Sequence, residues 1–340
     1  MAANDSEKGE ILYKDYNAYY LKFFKIKQAI GCFFKLKSTF SKINPDLIQI
    51  HDLGMFESYR ATKWAKKNNV ACVLIQGTYD ETRKPIQRVL EKLFNHVFGS
   101  YILKNVDAIG CKTKAAAEYL LQYNNSISPI ITPIGLDVSR FSNPTEDGNS
   151  YRQKLGLNTT DKVLLYVGSV DKSRRHVDLL IDLMRILPPD YKLLIVGDGA
   201  AKAELQERSN KRVIWMGKLP QTALPDIYNI ADLFLLASSY EIYGMVLLEA
   251  MYHNVPALST PTGGALSIIT ENETGYIIEQ NSSAEEWAEK IQSIFKDQKL
   301  YHKLKTGLKD YITSNFTWDK TCESFIYLYN TALKKHNGIS

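Results

Sequence analysis

Two α/β domains, each built on a parallel sheet wound between helices, are what this sequence predicts, and three observations predict them. From Lys162 onward short β-branched and aliphatic runs alternate with helical patterns, the rhythm of βαβ units. The runs are apolar on both faces, as strands covered by helices on both sides must be. At 340 residues the chain also exceeds the size at which one core usually stops growing, so two units of roughly 150 residues each are expected.

In the C-terminal half the expected strands are VLLYV (163–167), KLLIV (192–196), RVIWM (212–216), DLFLLA (232–237), VPALS (255–259) and GYIIE (275–279). Each is followed by a turn and a helical pattern. The N-terminal half offers DLIQI (46–50), VACVLI (70–75), VDAIGC (106–111) and PIITPI (129–134). Where a doubly wound domain usually opens with a strand and a glycine-rich turn, residues 1–45 carry a basic, helix-like stretch, so the first unit is short or missing. The segment GLDVSRFSNPTEDGNS (135–150) has linker composition. The expected units are therefore 1–138 and 139–316, with a C-terminal helix over 317–340 packing back toward the first.

Hydrophobic residues make up 45% and charged residues 23%, which excludes a disordered chain. Cys32, Cys72, Cys111 and Cys322 are scattered with no C-x-x-C pair, so neither a zinc site nor a disulfide framework is suggested. No apolar run reaches the roughly 18 residues of a membrane span, and the N-terminus lacks signal-peptide order; a cytoplasmic protein is expected. The net charge of +5 is small and suggests no nucleic-acid partner, but it is local: seven lysines against one acid fall between Lys14 and Lys42, interleaved with Tyr and Phe. Residues 14–42 are thus the candidate contact with an anionic membrane surface, on the inner face of the membrane, as a basic amphipathic helix. The alternative is a solvated helix packed on its own domain.

The richest stretch is 238–276, where Glu241 and Glu249 stand eight residues apart. With a helix starting near Tyr243, Glu241 lies before its first turn and Glu249 about two turns inside, both able to look toward one cleft. The backbone N–H groups of Tyr243, Gly244 and Met245 would be the unpaired donors of that helix start, a ready seat for a diphosphate, and Gly244 allows close approach. The plainer alternative is a capping Glu241 and a surface Glu249. In YVGSVDKSRRHVDLLIDL (166–183) a strand ends at Gly168 and a basic loop follows; Arg174 or Arg175 would stabilise charge on a departing nucleoside diphosphate.

SYEIYGMVLLEAMYHNVPALSTPTGG resembles the E-x7-E region of the retaining glycosyltransferases of family four, which have the GT-B fold of two Rossmann-like domains facing across a cleft. LLIVGDGAAKAELQ, VIWMGKLPQTALPDIYNIADLFLLAS and TGYII extend the likeness over most of the C-terminal half. The resemblance implies that Glu241 contacts the donor sugar, Glu249 the nucleotide ribose, and Gly263 and Gly264 line the site. It aligns Arg175 with one of two phosphate-binding basic positions and puts Ser169 where many members have arginine. It also implies a base pocket around Gly217, Lys218 and Leu219. In the N-terminal half PDLIQIHDL resembles the family's strand ending in a histidine, which would bring His51 to the cleft, the alternative being a strand-end histidine with only a structural hydrogen bond. Gln76 stands where many members carry a histidine near the reacting sugar.

No Asp-x-Asp pair occurs, so no carboxylate set for a divalent metal is evident and a metal-independent mechanism is expected. The function implied is a retaining hexosyltransferase that needs no cofactor, taking a UDP- or GDP-sugar donor and a glycan, lipid-linked or other hydroxyl acceptor. Two alternatives stand beside it: a non-catalytic nucleotide-sugar-binding partner subunit, and a GT-B sugar epimerase or phosphorylase.

Overall fold

The computed structural model describes residues 11–13, 16–18, 40, 44–79, 85–141 and 144–339. A short antiparallel hairpin, β1 (Ile11–Tyr13) and β2 (Tyr16–Ala18), precedes the main body. The helix expected over 14–42 is corrected at its start, since residues 16–18 pair as a strand; residues 19–39 lie outside the described residues.

The first sheet is parallel throughout and runs in chain order: β3 (Leu47–His51), β4 (Ala71–Gln76), β5 (Ala108–Cys111) and β6 (Ile130–Ile131). β4 is buried at every position, as its unbroken apolar run requires. Between the strands lie α1 (Phe56–Asn68), then α2 (Pro85–Phe94), which passes through a π-turn at 95–99 into α3 (Ser100–Asn105), and α4 (Lys114–Leu121), capped by the Thr113 side chain. The strand expected over 129–134 is reduced to two paired residues. Pro133 has no N–H to give a ladder, and the chain leaves there for the second domain.

The second domain opens with α5 (Gly148–Lys154) and contains six parallel strands: β7 (Lys162–Val167), β8 (Tyr191–Val196), β9 (Val213–Gly217), β10 (Leu233–Leu236), β11 (Ala257–Ser259) and β12 (Gly275–Ile277). Their spatial order, β9-β8-β7-β10-β11-β12, reverses direction between β7 and β10. That reversal is the topological switch point of a doubly wound sheet, and ligands bind outside the carboxyl ends of the strands there. Helices α6 (Val177–Ile186), α7 (Lys202–Arg208), α8 (Leu224–Ile230), α9 (Met245–Tyr252), α10 (Ala265–Ile268) and α11 (Ala284–Lys296) cover the faces, with one core on each side of the sheet.

The chain crosses between the domains twice, side by side. Leu136 N donates to Phe316 O at 2.7 Å and Trp318 N to Leu136 O at 3.3 Å. A Cβ on Gly135 would overlap the Thr317 carbonyl, so only glycine lets the two strands of the crossover touch. After α12 (Gln298–Lys305) and α13 (Leu308–Asn315), α14 (Trp318–His336) returns to the first sheet, where Leu328 and Ala332 pack on Val73, Ile75 and Ala108.

Candidate active site

A cleft of about 410 Å³ opens at the switch point and is lined from both domains: Val167 and Gly168 at the end of β7, Leu236 and Glu241 to Val246 after β10, Arg175 from the loop before α6, and Lys112 and Ile134 from the first domain. Asp171 folds the loop before α6 by accepting from Arg174 N (2.7 Å) and Arg175 N (3.1 Å). Burial by itself would raise the Asp171 pKa, but those two amides and the Arg175 charge hold it below the usual carboxylate range. The loop so formed aims Arg175 at the cleft, where its guanidinium lies 3.3 Å from Ser238 Oγ, 3.4 Å from Ser169 Oγ and pairs with the Glu241 carboxylate. Arg175 and Glu241 are mostly buried, so their charges act in a medium that strengthens them.

Helix α9 starts at Met245, two residues later than expected, because Gly244 takes φ +78 and turns the chain into it. Gly244, Met245 and Val246 line the cleft, which brings the positive end of α9 to it. Gly168 and Tyr243 are also in the lining. Ser169 is tied into the loop, its carbonyl accepting from Tyr166 OH at 2.7 Å.

Glu249 sits on the same face of α9 as Met245, one turn deeper, and is not among the lining residues. Tyr228 OH donates to its Oε2 at 2.9 Å; burial raises the Glu249 pKa and this hydrogen bond opposes the rise. Leu219 packs in the same core cluster as Tyr228. Gly217 ends β9 with φ +67, and Lys218 beside it is exposed. Arg174 is not among the lining residues; its guanidinium carbon lies 4.8 Å from the Tyr240 ring centroid.

Three of the expected positions lie outside the cleft lining. Gln76 is fully buried and its amide is used up: Oε1 accepts from Leu53 N at 2.8 Å, and Nε2 reaches Thr78 O (2.8 Å) and Thr78 Oγ1 (2.9 Å). It shapes the loop after β4 and does not face the cleft. His51 lies outside the lining, its ring accepting from the Gln49 amide at 2.8 Å, while Tyr329 OH of α14 holds the other end of that amide at 2.5 Å. Gly263 and Gly264 do not line the cleft either: a Cβ on Gly264 would overlap the Tyr243 carbonyl, and Gly263 is covered by Tyr79.

Tyr79 is the residue that sequence reasoning missed. Its hydroxyl donates to Glu241 O (2.7 Å) and accepts from Gly263 N (2.8 Å), its own amide reaches Tyr240 OH (3.2 Å), and its ring lies against Tyr240 at 4.5 Å. Asp52 prepares this reach, because one carboxylate oxygen takes the amides of Gly77 and Thr78 and the Thr78 hydroxyl, all within 3.1 Å. Lys112 was missed as well, although its place just beyond a parallel strand is where ligand contacts are expected. Among the described residues no group of three His, Cys, Asp or Glu side chains is assembled as a metal could require.

Comparison with known proteins follows the same division. Residues 147–310 match the family Glycosyl transferases group 1. The chain is 27% identical over 194 residues to N-acetyl-alpha-D-glucosaminyl L-malate synthase of Bacillus anthracis, an alignment that spans 55% of this chain and half of the relative. It is 27% identical over 291 residues to a putative teichuronic acid biosynthesis glycosyltransferase, TuaC, of Bacillus subtilis, covering 85% of this chain and 72% of the relative. In structure it is similar to Anabaena HepE, solved in complex with UDP, with a TM-score of 0.73 at 16% identity over 87% of this chain and 81% of that one.

Proposed function

We propose that the protein transfers a hexosyl group from a nucleoside-diphosphate sugar to a hydroxyl acceptor, a reading supported by the match of residues 147–310 to glycosyl transferases group 1 in a chain of GT-B fold. One observation carries the reading: Arg175, Glu241 and the start of α9 meet Lys112 of the other domain in a single cleft at the switch point. A diphosphate seated at the α9 start gains negative charge as the sugar departs. Arg175 and Lys112 then supply fixed positive charge from opposite walls, where preorganised charge is worth several kcal/mol. Lys112 is thus a second basic side chain in the lining, contributed by the other domain. Glu241 accepts hydrogen bonds from sugar hydroxyls, and Glu249, steadied by Tyr228, accepts from the ribose diol in a pocket walled by the Gly217 to Leu219 segment.

Among the described residues Glu241 is the one carboxylate in the cleft lining, and its pairing with Arg175 makes it a weak nucleophile. That supports transfer with retention by front-face attack, in which the leaving phosphate takes the acceptor's proton. The chemistry needs no metal ion when Arg175 and Lys112 carry the compensating charge. The acceptor is a glycan or lipid-linked hydroxyl met at the inner face of the membrane. UDP is the first donor nucleotide to try, on the likeness to HepE.

The test is titration calorimetry of UDP, GDP and ADP against the wild type and Arg175→Ala, followed by product analysis with the matching donor. One nucleotide should bind, at least about tenfold more weakly in the variant. A folded wild type that takes up none of the three sinks the reading.

A further inference from the structure

The most exposed apolar surface among the described residues is outside the cleft lining, on α2 and the π-turn that follows it. Ile86, Val89, Leu90, Leu93 and Val97 are 59% to 76% exposed and recur at three-and-four spacing, a single stripe about 16 Å long. Five aliphatic side chains on one line are a patch, unlike the scattered leucines of any surface. Beside the stripe, half-buried rings of Phe56, Tyr59, Phe94 and Phe98 cluster, the Phe98 centroid within 5.6 Å of each of the others.

The charge around the stripe decides its partner. Helices α1, α2 and α3 carry seven Lys and Arg against Glu57 and Glu91, and Glu91 is drawn to Tyr119 OH at 3.1 Å. Apolar stripe, aromatic flank and basic surround are the make-up of a helix that lies in a bilayer interface. A second copy of the chain would bring two such basic layers together, whereas anionic lipid headgroups neutralise one. No helix among the described residues is long and apolar enough to cross a membrane, so contact is at the surface.

We propose that the α2 stripe seats the protein on an anionic bilayer. Helix α2 begins six residues after Tyr79, so the cleft edge lies within about 20 Å of the helix that enters the interface. Under the transferase reading, on which this consequence alone rests, the acceptor is presented from that surface and is lipid-linked.

The experiment is co-sedimentation of the full-length chain with phosphatidylcholine vesicles, with and without phosphatidylglycerol, for the wild type and for Leu90→Ser with Leu93→Ser. Partitioning should require phosphatidylglycerol, weaken with salt, and fall about tenfold or more in the double variant, whose melting temperature should be unchanged because both side chains are exposed. If the double variant fails to fold, Ile86→Ser at the most exposed position should still lower partitioning. A wild type that ignores anionic vesicles, or a folded variant that binds them as well as the wild type, overturns the proposal. A wild-type dimer that the variant dissolves gives the face to a second copy instead. No sugar donor is present, so failure here leaves the transferase reading intact.

Discussion

The two sheets solve the same problem of covering a parallel sheet on both faces, and they solve it differently. The six-stranded sheet draws all its cover from its own stretch of chain, and both of its cores are built from residues between 136 and 316. The four-stranded sheet takes the cover of one face from α14, more than 200 residues away, through Leu328 and Ala332. In return it sends Lys112 and Tyr79 across to the other domain's loops. One domain holds the switch point and most of the candidate chemistry; the other supplies a wall, a latch and an exposed helix.

Breaking the charge at the cleft should give the largest effect. Arg175→Ala removes the group that, in the proposed reaction, would face the departing diphosphate, and leaves Glu241 without this partner, so transfer should fall about a hundred- to a thousandfold in steady-state kinetics, with the fold intact by circular dichroism. Lys112→Ala asks the same question of the other wall. A loss comparable with that of Arg175 would show that the cleft is shared, and undiminished turnover would make it a property of the second domain alone.

The borrowed cover comes next. Leu328→Ala should cost about 2–5 kcal/mol, with hydrogen exchange quickened in β4 and β5 and nearly unchanged in β7 and β8. Equal quickening in both sheets would mean that the domains unfold as one unit. A smaller effect is expected from Tyr79→Phe, which deletes one hydroxyl and two hydrogen bonds. The Gly263 amide should exchange faster, and kcat should fall about tenfold while nucleotide affinity holds. A shift in affinity with kcat unchanged would instead put Tyr79 in the donor seat.

The smallest effect separates two groups that touch Tyr228. His253 stacks on that ring at 5.4 Å, and burial, then Lys309, push its pKa down to about 4. Its folded value lies below its unfolded one, so it contributes stability above pH 6.5 that is lost as the pH falls toward about 4. Glu249 has the opposite sign: its pKa is raised, chiefly by burial, so its contribution is present at low pH and lost as the pH rises through the raised value. Melting curves against pH should show His253→Gln flattening the acid limb and Glu249→Gln raising stability near neutrality.

Much of this was legible beforehand where burial is two-sided. Strands such as VLLYV and KLLIV can be nothing but central, and β7 and β8 lie where those runs do. Arg175, Glu241, Gly168 and Gly244 were legible too, because a strand end, a basic loop and a helix start are local patterns that a parallel sheet gathers at one edge. Gln76, His51 and the Gly263–Gly264 pair were read at the cleft and are not in its lining. Their polar groups were claimed by Leu53, Gln49 and Tyr79, partners that lie beyond the reach of local pattern in all but one case.

By itself, then, the sequence determined the parallel-sheet architecture, the order of its strands along the chain and the chemical types gathered near one helix start, because periodicity and spacing act within about one supersecondary unit. Only the tertiary structure decided which charge faces which. The pairing of Arg175 with Glu241, the arrival of Lys112 opposite them, the Tyr79 latch onto Gly263 and the exposure of the α2 stripe each depend on how distant segments meet. Contacts made through space between loops leave no period in the chain.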